Sequence, residues 1–365
     1  MGAPQKPATP PLGHYPERMA PFDPDAAAQP GSGIFGLPLG PDDAWAQVLG
    51  VPFDATTSYR RGTMHGPEAI VAASSQVDLH DRLFPGAHEG GIHYVGDDGT
   101  VESWNQEARA LANPIIAAGG ADPDDDAHQQ ALARVNHLGD ALRGHVHRFT
   151  EGCFAAKRLP VLLGGDHSIP FGGMEAAAGR FDQLGVLQFD AHADLRESYE
   201  GFRWSHASIF HNVLEELPQV SSLVQVGVRD LGHGEALRCA EDERITTLFD
   251  DQWAKTIPAS AERDQIMQDS INTLPKDVWV SFDIDGLSPD LCPHTGTPVP
   301  GGLDWHSAMA WLQALVQSGR TVVGLDLCEV APGPDADPRG TSWDAVVGAR
   351  LLYRLIGAAR CSQQS

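Results

Sequence analysis

Basic side chains are scarce in this sequence of 365 residues. Lysine and arginine together number 25, against 49 aspartates and glutamates, which gives a formal net charge of −24. Because nucleic acids and anionic membranes attract positively charged surfaces, this balance argues against both as partners. The acidic surface favours solubility. It would also suit a small cationic substrate, although net charge does not locate a site.

Cysteine is sparse as well, with five residues scattered along the chain and no CxxC pair. Such a set argues against a disulfide framework and fits a reducing compartment. No apolar run is long enough to span a membrane, and the N-terminus lacks the basic-then-apolar order of a signal peptide. These absences predict a cytoplasmic protein.

Prolines are concentrated at the N-terminus, where residues 1–42 hold ten of the 27. Because no periodic apolar pattern accompanies them, this segment is predicted to be an extended arm, either a disordered tail or a clamp on a neighbouring subunit. Hydrophobic residues make up 42% of the chain, which is ample for a core. We place the folded domain at 43–358 and a short C-terminal tail at 359–365.

Beyond the arm, the sequence alternates between apolar runs typical of strands and segments with helical periodicity. Strand-like runs are found at 45–53, 92–96, 159–163, 184–189, 223–228, 245–249, 278–283 and 321–327. Helices are predicted from residue 66 and near 127–157, 168–180, 206–217, 234–241, 262–273, 306–319 and 342–358. This alternation predicts an α/β fold with a mostly parallel sheet covered by helices on both faces.

The segment Phe189-Asp190-Ala191-His192-Ala193-Asp194 carries the densest chemistry in the chain. It follows a strand-like run and holds two carboxylates and an imidazole at alternate positions. Because side chains alternate faces along a strand, we expect residues 190, 192 and 194 to point into one site. Taken alone, the segment has two interpretations, a metal site or an acid-rich turn.

Three other strand-like runs also end in polar residues. Gly164-Gly165-Asp166-His167-Ser168 follows the run at 159–163, Asp283-Ile284-Asp285 follows the run at 278–283, and Glu329 follows the run at 321–327. Each alone has a simpler interpretation as a helix cap or a turn. Ligands of parallel sheets gather outside the carboxyl ends of strands, so their recurrence at corresponding ends predicts a single site.

Six side chains from these motifs are candidate metal ligands: His167, Asp190, His192, Asp194, Asp283 and Asp285. A catalytic zinc ion usually keeps only three protein ligands. Four carboxylates and two imidazoles suit two divalent ions bridged by carboxylates, with Mn²⁺ favoured and Ni²⁺, Co²⁺ and Fe²⁺ also compatible. Two such ions would lower the pKa of a shared water and make hydroxide available near neutral pH.

Three of these motifs resemble the signatures of the ureohydrolase family, which includes arginases, agmatinases and related guanidino hydrolases. They are Gly164-Gly165-Asp166-His167-Ser168, Asp190-Ala191-His192-Ala193-Asp194 and Ser281-Phe282-Asp283-Ile284-Asp285-Gly286-Leu287. The similarity extends over residues 48–357. It implies a single three-layer α/β/α domain around an eight-stranded, mostly parallel sheet, assembled as a homotrimer or homohexamer. It also implies hydrolysis of a guanidino group to urea plus an amine, with two Mn²⁺ or Ni²⁺ ions.

The resemblance further implies roles for individual residues. Asp190 and Asp283 would bridge the two ions. Asp194 would pass a proton from the attacking hydroxide to the departing nitrogen. His206 matches a loop histidine that moves protons to bulk water, with an unperturbed pKa near ~6.5; the simpler interpretation is a surface histidine at a helix start. Glu329 matches the glutamate that binds the guanidinium.

The identity of the guanidino compound is left open. Arg196 stands two residues after Asp194, where arginases have Asn, so the agmatinase-like branch is the better match. Trp204 either narrows the pocket for a small substrate such as guanidine or a substituted guanidine, or packs in the core. His294 either contacts substrate at the mouth or supports its own loop.

Other activities are compatible with the same motifs: guanidinobutyrase, guanidinopropionase, a biguanide hydrolase of the metformin type, or a partner-dependent subunit with weak activity. A zinc deacetylase of related architecture is disfavoured, since it would use a single metal site and lack His167 and the second set of ligands. A silent subunit is disfavoured by the complete ligand set. The sequence therefore predicts an amidinohydrolase with a small cationic guanidino substrate.

Overall fold

The computed structural model describes residues 22–29, 31–256, 261–334 and 342–364. Eight strands are present in these ranges: β1 (Ala46–Val51), β2 (Ile92–Val95), β3 (Leu159–Gly164), β4 (Leu184–Phe189), β5 (Val220–Val228), β6 (Ile245–Phe249), β7 (Asp277–Asp283) and β8 (Thr321–Cys328). All of the runs predicted as strands are strands. Small shifts at their ends are expected, since strand bounds depend on the neighbouring strand.

The same ranges contain ten α-helices. They are α1 (Gly66–Ser74), α2 (Thr100–Ala117), α3 (Asp126–Ala155), α4 (Phe171–Ala178), α5 (Ile209–Glu216), α6 (His233–Glu241), α7 (Asp250–Lys255), α8 (Ala261–Asn272), α9 (Trp305–Gln317) and α10 (Trp343–Gln364). Within the described chain, no helix is both long and apolar enough to cross a bilayer.

All eight strands form one sheet in the order β2-β1-β3-β8-β7-β4-β5-β6, and every neighbouring pair is parallel. Parallel neighbours require crossover connections, and the helices supply them on both faces. One apolar core contains residues of α1, α8, α9 and α10, and the other contains residues of α2, α3, α4 and α5. The predicted three-layer α/β/α fold is confirmed.

Helix α2 was not predicted from the sequence. Its buried residues include the small Ala108 and Ala112, which give a weak apolar periodicity, and it contains Pro114. Its N-cap is Gly99, which offers no side chain to mark the start. The sequence signals of a helix are therefore weak, and packing against α3 stabilises α2.

The described part of the N-terminal arm packs on its own domain. Phe35 is buried, and its N–H donates to Ser74 Oγ of α1 over 2.8 Å. Its ring meets that of Tyr353 in α10 edge-on, with the centroids 5.0 Å apart. The core thus begins before the predicted boundary at residue 43. Residues 1–21, which hold most of the arm's prolines, lie outside the described residues.

The predicted C-terminal tail is instead the last part of α10. Ala359 is fully buried, and Ser362 Oγ accepts from the N–H of Val322 over 3.0 Å. Gln363 Nε2 donates to the carbonyl of the same valine over 2.8 Å. These bonds join the end of the helix to the start of β8.

Candidate active site

The strand order places β3, β8, β7 and β4 side by side in the middle of the sheet. Each of the four predicted motifs directly follows one of these strands, so parallel pairing brings all four to the same edge. In open α/β sheets this edge is where ligands bind. Segments separated by more than 100 residues in sequence thereby become neighbours.

His167 is at the centre of the first group of ligand side chains. Its Nδ1 lies 3.0 Å from Asp190 Oδ2, 3.2 Å from Asp194 Oδ2 and 3.5 Å from Asp283 Oδ2. The imidazole is fully buried, and the three carboxylates are nearly so. Three acids therefore converge on one imidazole nitrogen away from bulk water.

His192 is at the centre of the second group. Its Nδ1 lies 3.1 Å from Asp285 Oδ2 and 3.5 Å from Asp190 Oδ1. Asp190 belongs to both groups, with one oxygen turned to each histidine. The six predicted ligands thus form two adjacent donor sets that share a carboxylate, as two bridged ions would require.

The donor set fits two divalent cations. Four carboxylates and two neutral imidazoles would bring four negative charges into a mostly buried volume, which is costly without compensation. Two trios of side chains each place three ligand atoms within 4.8 Å of one another. One trio is His167, Asp190 and Asp283, and the other is Asp190, His192 and Asp285. Oxygen-rich sets of this kind suit Mn²⁺, and imidazole also suits Ni²⁺.

The charges in the cluster shift the pKa values of its members strongly. Burial disfavours charged His192, but the Asp285 carboxylate outweighs burial and raises the pKa of His192 to about 12. Burial, reinforced by the Asp190 charge, raises the pKa of Asp194 to about 8. Burial and the Asp285 charge raise the pKa of Asp283 well above its usual value. Protons and metal ions therefore compete for this cluster.

Loop geometry, rather than strand alternation, brings residues 190, 192 and 194 together. Strand β4 ends at Phe189, so these residues lie beyond the pleat. The N–H of His192 donates to Asp190 Oδ1 over 2.7 Å, which turns the chain back on itself. Gln188 in β4 donates to Asp190 Oδ2 over 2.9 Å and orients that carboxylate. The predicted convergence is present, but its cause is different.

Two of the predicted catalytic residues have left-handed backbones. Asp194 has φ 55° and Glu329 has φ 63°. Residues other than glycine rarely adopt this conformation, and it costs of order 1 kcal/mol. Surrounding bonds hold it: the carbonyl of Asp194 accepts from Phe210 N–H, and the N–H of Glu329 donates to Gly165 O.

Glu329 is almost completely buried at the end of β8. Its Oε1 accepts from the N–H of His167 over 2.9 Å, and its carbonyl accepts from Thr295 Oγ1 over 2.8 Å. A Cβ at Gly296 would come 3.3 Å from Oε2, so a glycine there keeps space over this oxygen. Burial and the Asp166 charge raise the pKa of Glu329 well above its usual value.

A cavity of about 200 Å³ opens beside the ligand cluster. Three predicted site residues line it, namely His192, Asp194 and His206. The rest of its wall comes from Ser58, Arg196, Tyr199, Ala207, Asp230, Leu231, Glu235 and Thr297. Glu329 is not part of this wall and lies beneath the loop that contains Gly296. The cavity is small and polar, as a site for a small charged molecule would be.

His206 lies at the start of a short 3-10 turn that precedes α5. Ser205 caps this turn, its Oγ accepting from the N–H of Ala207. Burial, together with the positive charge of His192, lowers the pKa of His206 to about 4, below the unperturbed value expected from sequence. Its Nδ1 has no hydrogen-bond partner within the described ranges. The neutral ring therefore lines the cavity, with its Nδ1 buried and unpaired among the described residues.

Trp204 and His294 are placed differently from His206. The Trp204 ring is buried against Phe171 and Gly139, and its Nε1 donates to Asp140 over 2.9 Å, so it packs in the core and does not line the cavity. His294 is half-exposed outside the cavity wall. Its Nδ1 is 2.9 Å from the buried carboxylate of Asp344, a bond that ties its loop to α10.

Sequence reasoning missed the contribution of the β5 end to the site. Asp230 and Leu231 follow β5, and Glu235 lies in the first turn of α6. The signal was present, since Asp230 follows a predicted strand just as Asp190 does. Applying the strand-end rule to every strand would have found it.

Known proteins share these features. A model of the arginase family matches residues 44–357. The chain is 30% identical to N(1)-aminopropylagmatine ureohydrolase of Synechocystis, over 86% of this chain and 89% of that protein. It is 29% identical to guanidinobutyrase of Pseudomonas aeruginosa, over 85% of each chain. The solved structure of agmatine ureohydrolase of Thermoplasma volcanium aligns with a TM-score of 0.65 and 22% identity, over 89% and 93% of the two chains.

The parallel α/β sheet and its paired acidic donor sets form a candidate binuclear metal centre of the kind that metal-dependent hydrolases use. Since the family model covers most of the chain, the chain belongs to the arginase family. It is a ureohydrolase, an amidinohydrolase that acts on C–N bonds of linear amidines. The resemblance inferred from the three motifs is confirmed.

Proposed function

We propose that this enzyme hydrolyses a small cationic guanidino compound to urea and an amine or ammonia, as an agmatinase-like member of its family. The observation that carries this proposal is the shared carboxylate of Asp190, which joins two donor sets beside one small polar cavity. The relatives include enzymes named for aminopropylagmatine and for guanidinobutyrate, so the family accommodates more than one tail on the guanidino group.

Two divalent ions, Mn²⁺ or Ni²⁺, complete the site in this proposal. His167, Asp190, Asp194 and Asp283 would hold one ion, and Asp190, His192, Asp283 and Asp285 would hold the other. When bound, the ions supply Lewis acidity and lower the pKa of a water molecule, so that a nucleophile is available near neutral pH. The surrounding burial keeps bulk water from weakening these charges.

Proton transfer is assigned to Asp194 and His206. Hydrolysis adds a water oxygen to the guanidino carbon and breaks the C–N bond to the amine, so a proton must reach the departing nitrogen. Asp194 belongs to the ligand cluster and also lines the cavity, and it is therefore placed to carry this proton. His206 lines the same cavity wall and would pass protons between the site and solvent.

Guanidinium binding is assigned to Glu329. A guanidinium stays cationic at any physiological pH and offers paired N–H donors, which a carboxylate accepts through charge-assisted bonds. One oxygen of Glu329 is occupied by the His167 amide, while the other faces the space left by Gly296. His294 supports the loop above it through Asp344.

We also propose a homotrimer or homohexamer in the cytoplasm, without nucleic acid or membrane as partner. The family resemblance supports the assembly. The net charge of −24 argues against nucleic acid and anionic membranes as partners, and the scattered cysteines support a cytoplasmic location.

The proposal is tested by urea release from a panel of substrates. Metal-free protein is reloaded separately with Mn²⁺ and with Ni²⁺, and two bound ions per chain are verified by elemental analysis. The panel contains agmatine, guanidinobutyrate, guanidinopropionate, arginine, guanidine and dimethylbiguanide. Urea from one compound with one metal identifies substrate and cofactor together. A blank with two ions bound points to another amidine or a missing partner, and a protein that binds no metal contradicts the proposed centre.

A further inference from the structure

Three polar side chains form a row across the sheet next to the ligand segment, residues 190–194. Gln188 of β4, Gln225 of β5 and Thr247 of β6 are register partners in adjacent parallel strands. Because side chains alternate faces along a strand, partners in register share a face, and the three lie side by side. We call these three side chains the polar row. Both glutamines are fully buried, so protein groups must satisfy their amides.

The hydrogen bonds of the polar row all run in one direction. Thr247 Oγ1 donates to Gln225 Oε1 over 2.8 Å. Gln225 Nε2 donates to Gln188 Oε1 over 2.7 Å, and Gln188 Nε2 donates to Asp190 Oδ2 over 2.9 Å. Each amide accepts a hydrogen at its oxygen and donates one from its nitrogen. The polar row therefore ends with an N–H aimed at the carboxylate that belongs to both donor sets.

Backbone carbonyls of the ligand segment fix the way in which each amide faces. Gln225 Nε2 also donates to the carbonyl of Ala193 over 2.8 Å, and Gln188 Nε2 donates to the carbonyl of His192 over 3.3 Å. A carbonyl can only accept a hydrogen, so the nitrogen of each amide must be turned to it. The reversed orientation of Gln188 would place its oxygen against the Asp190 carboxylate, where two acceptors repel each other.

Gln225 also supports the backbone conformation of Asp194. The carbonyl that it binds belongs to the peptide unit between Ala193 and Asp194, and rotation of this unit changes φ of Asp194. That φ is 55°, in a region that residues other than glycine rarely adopt. One buried glutamine thus restrains Asp190 through Gln188 and Asp194 through the backbone.

We propose that Gln225, which belongs to neither donor set, is a positioning residue of the metal centre. It keeps the N–H of Gln188 on Asp190 and keeps the ligand segment in the shape that brings the donor sets together. Thr247 holds the Gln225 amide in the required orientation from β6. This inference rests on the proposed function, since the ions concerned are the two divalent ions of that proposal.

The test measures the affinity for Mn²⁺ by titration calorimetry on metal-free protein. Gln225→Met keeps the length of the side chain but removes its bonding groups, and it should lower metal affinity about 10–100-fold, the usual cost of losing a group that orients a ligand. Thr247→Val keeps the side-chain shape without the hydroxyl and should lower the affinity about 3–10-fold. Thr247→Ser keeps the hydroxyl and should bind Mn²⁺ as the wild type does.

A spectroscopic signature supplies a second measurement. The electron paramagnetic resonance spectrum of protein loaded with two Mn²⁺ ions depends on the coupling between the ions, and that coupling depends on the orientation of a carboxylate between them. The spectrum of Gln225→Met at full loading is expected to differ from that of the wild type. Loss of stability alone would not change the spectrum of the folded, loaded protein.

The matched control is Gln47→Met on β1 of the same sheet. Gln47 is also buried, and its Nε2 donates to the carbonyls of Pro41 and Ala44 over 3.0 Å and 2.9 Å. Gln47→Met should lower the urea midpoint of the metal-free protein as Gln225→Met does, but it should leave metal affinity and the spectrum unchanged. The comparison separates the orientation of ligands from a general loss of stability.

The outcomes distinguish this inference from the proposed function. Unchanged metal affinity in Gln225→Met, or an equal loss in Gln47→Met, overturns the role of Gln225 and leaves the guanidino hydrolase standing. If Gln225→Met does not fold, the Thr247 variants decide, and a Thr247→Val protein that binds Mn²⁺ as tightly as Thr247→Ser contradicts the polar row. A wild type that binds two ions but releases no urea from the panel counts against the proposed function alone. A wild type that binds no metal contradicts both.

Discussion

Ser281 Oγ lies 2.9 Å from His167 Nε2, on the side of the imidazole that faces away from the acidic cluster. The same hydroxyl donates to Asp326 Oδ1 over 2.9 Å, so it accepts from Nε2–H of the histidine. Asp326 is in turn fixed by Trp279 Nε1 at 2.7 Å. This chain of bonds holds the tautomer in which Nδ1 keeps its lone pair for a metal ion.

Breaking this series of hydrogen bonds should weaken metal binding. Ser281→Ala and Asp326→Asn are each expected to lower metal affinity by about 10–100-fold, the usual cost of losing a partner that orients a ligand. Titration calorimetry on metal-free protein measures the effect. Ser270→Ala, a buried serine on α8, is the matched control and should bind metal as the wild type does. Equal affinities in all four proteins would contradict the orienting role.

Removing the imidazole of His206 should separate proton transfer from metal binding. His206→Asn is expected to keep two ions per chain and to lose about 10²–10⁴-fold in kcat, the usual contribution of a positioned acid or base. Because the cavity is open, added imidazole should restore part of the rate. Activity that stays within a few-fold of wild type would show that His206 is only part of the wall.

Arg229 should hold the loop over the second donor set. Its guanidinium donates to the carbonyls of Gly227, Asp285, Leu287 and Val299 over 2.7–3.3 Å. Lysine cannot reproduce this fork, so Arg229→Lys is expected to cost about 1–3 kcal/mol of unfolding free energy and to weaken binding of the second ion.

Denaturant unfolding and metal titration check both effects of that change. Arg134→Lys, which alters an exposed arginine paired with Glu107, serves as the control and should cost about 0–1 kcal/mol. If the two variants behave alike, Arg229 does not organise the loop.

The ion pair between Asp81 and Arg354 should make the stability of the fold depend on pH. Burial works to raise the pKa of the Asp81 carboxyl, but hydrogen bonds from Arg354 Nε at 2.7 Å and from the amides of Phe84 and Leu83 outweigh it, so the net pKa is lowered. A lowered carboxyl pKa contributes stability above the unfolded value, about 3.9, and that stability is lost as pH falls through the folded value.

The variant Asp81→Asn should therefore be less stable than wild type at pH 7, by about 1–3 kcal/mol. The difference should shrink as pH falls below about 4. Urea unfolding midpoints at several pH values, with a common metal loading, provide the measurement. A stability difference that stays constant or widens in acid would mean that the pair is not ionised as inferred.

The ligand motifs were readable from sequence because each is a short local segment at a strand end. His167, Asp190 and Asp285 need only the strand preceding them and the rule that parallel strands share an edge. Glu329 was found in the same way. The alternation of apolar runs and helical segments predicted the three layers for a similar reason, since each element carries its own periodicity.

Tertiary packing determined the positions of Trp204, Asp230 and the N-terminal arm. Trp204 is two residues from His206, yet its ring turns to α3 because a buried indole seeks a partner for its N–H and finds Asp140. Asp230 follows a predicted strand, but it lies in the same cavity wall as the ligand cluster because β5 pairs beside β4. Phe35 lies in a proline-rich segment, but Tyr353, more than 300 residues away, gives it a core to join.

The sequence by itself therefore determined the fold class, the six candidate metal ligands and the kind of reaction, because these depend on the alternation of elements and on motifs a few residues long. Tertiary structure decided how far apart the donor atoms lie and which side chains form the cavity. Those features depend on distances between atoms from different elements, and burial sets their energies. Only the folded chain specifies these distances and the burial of each group.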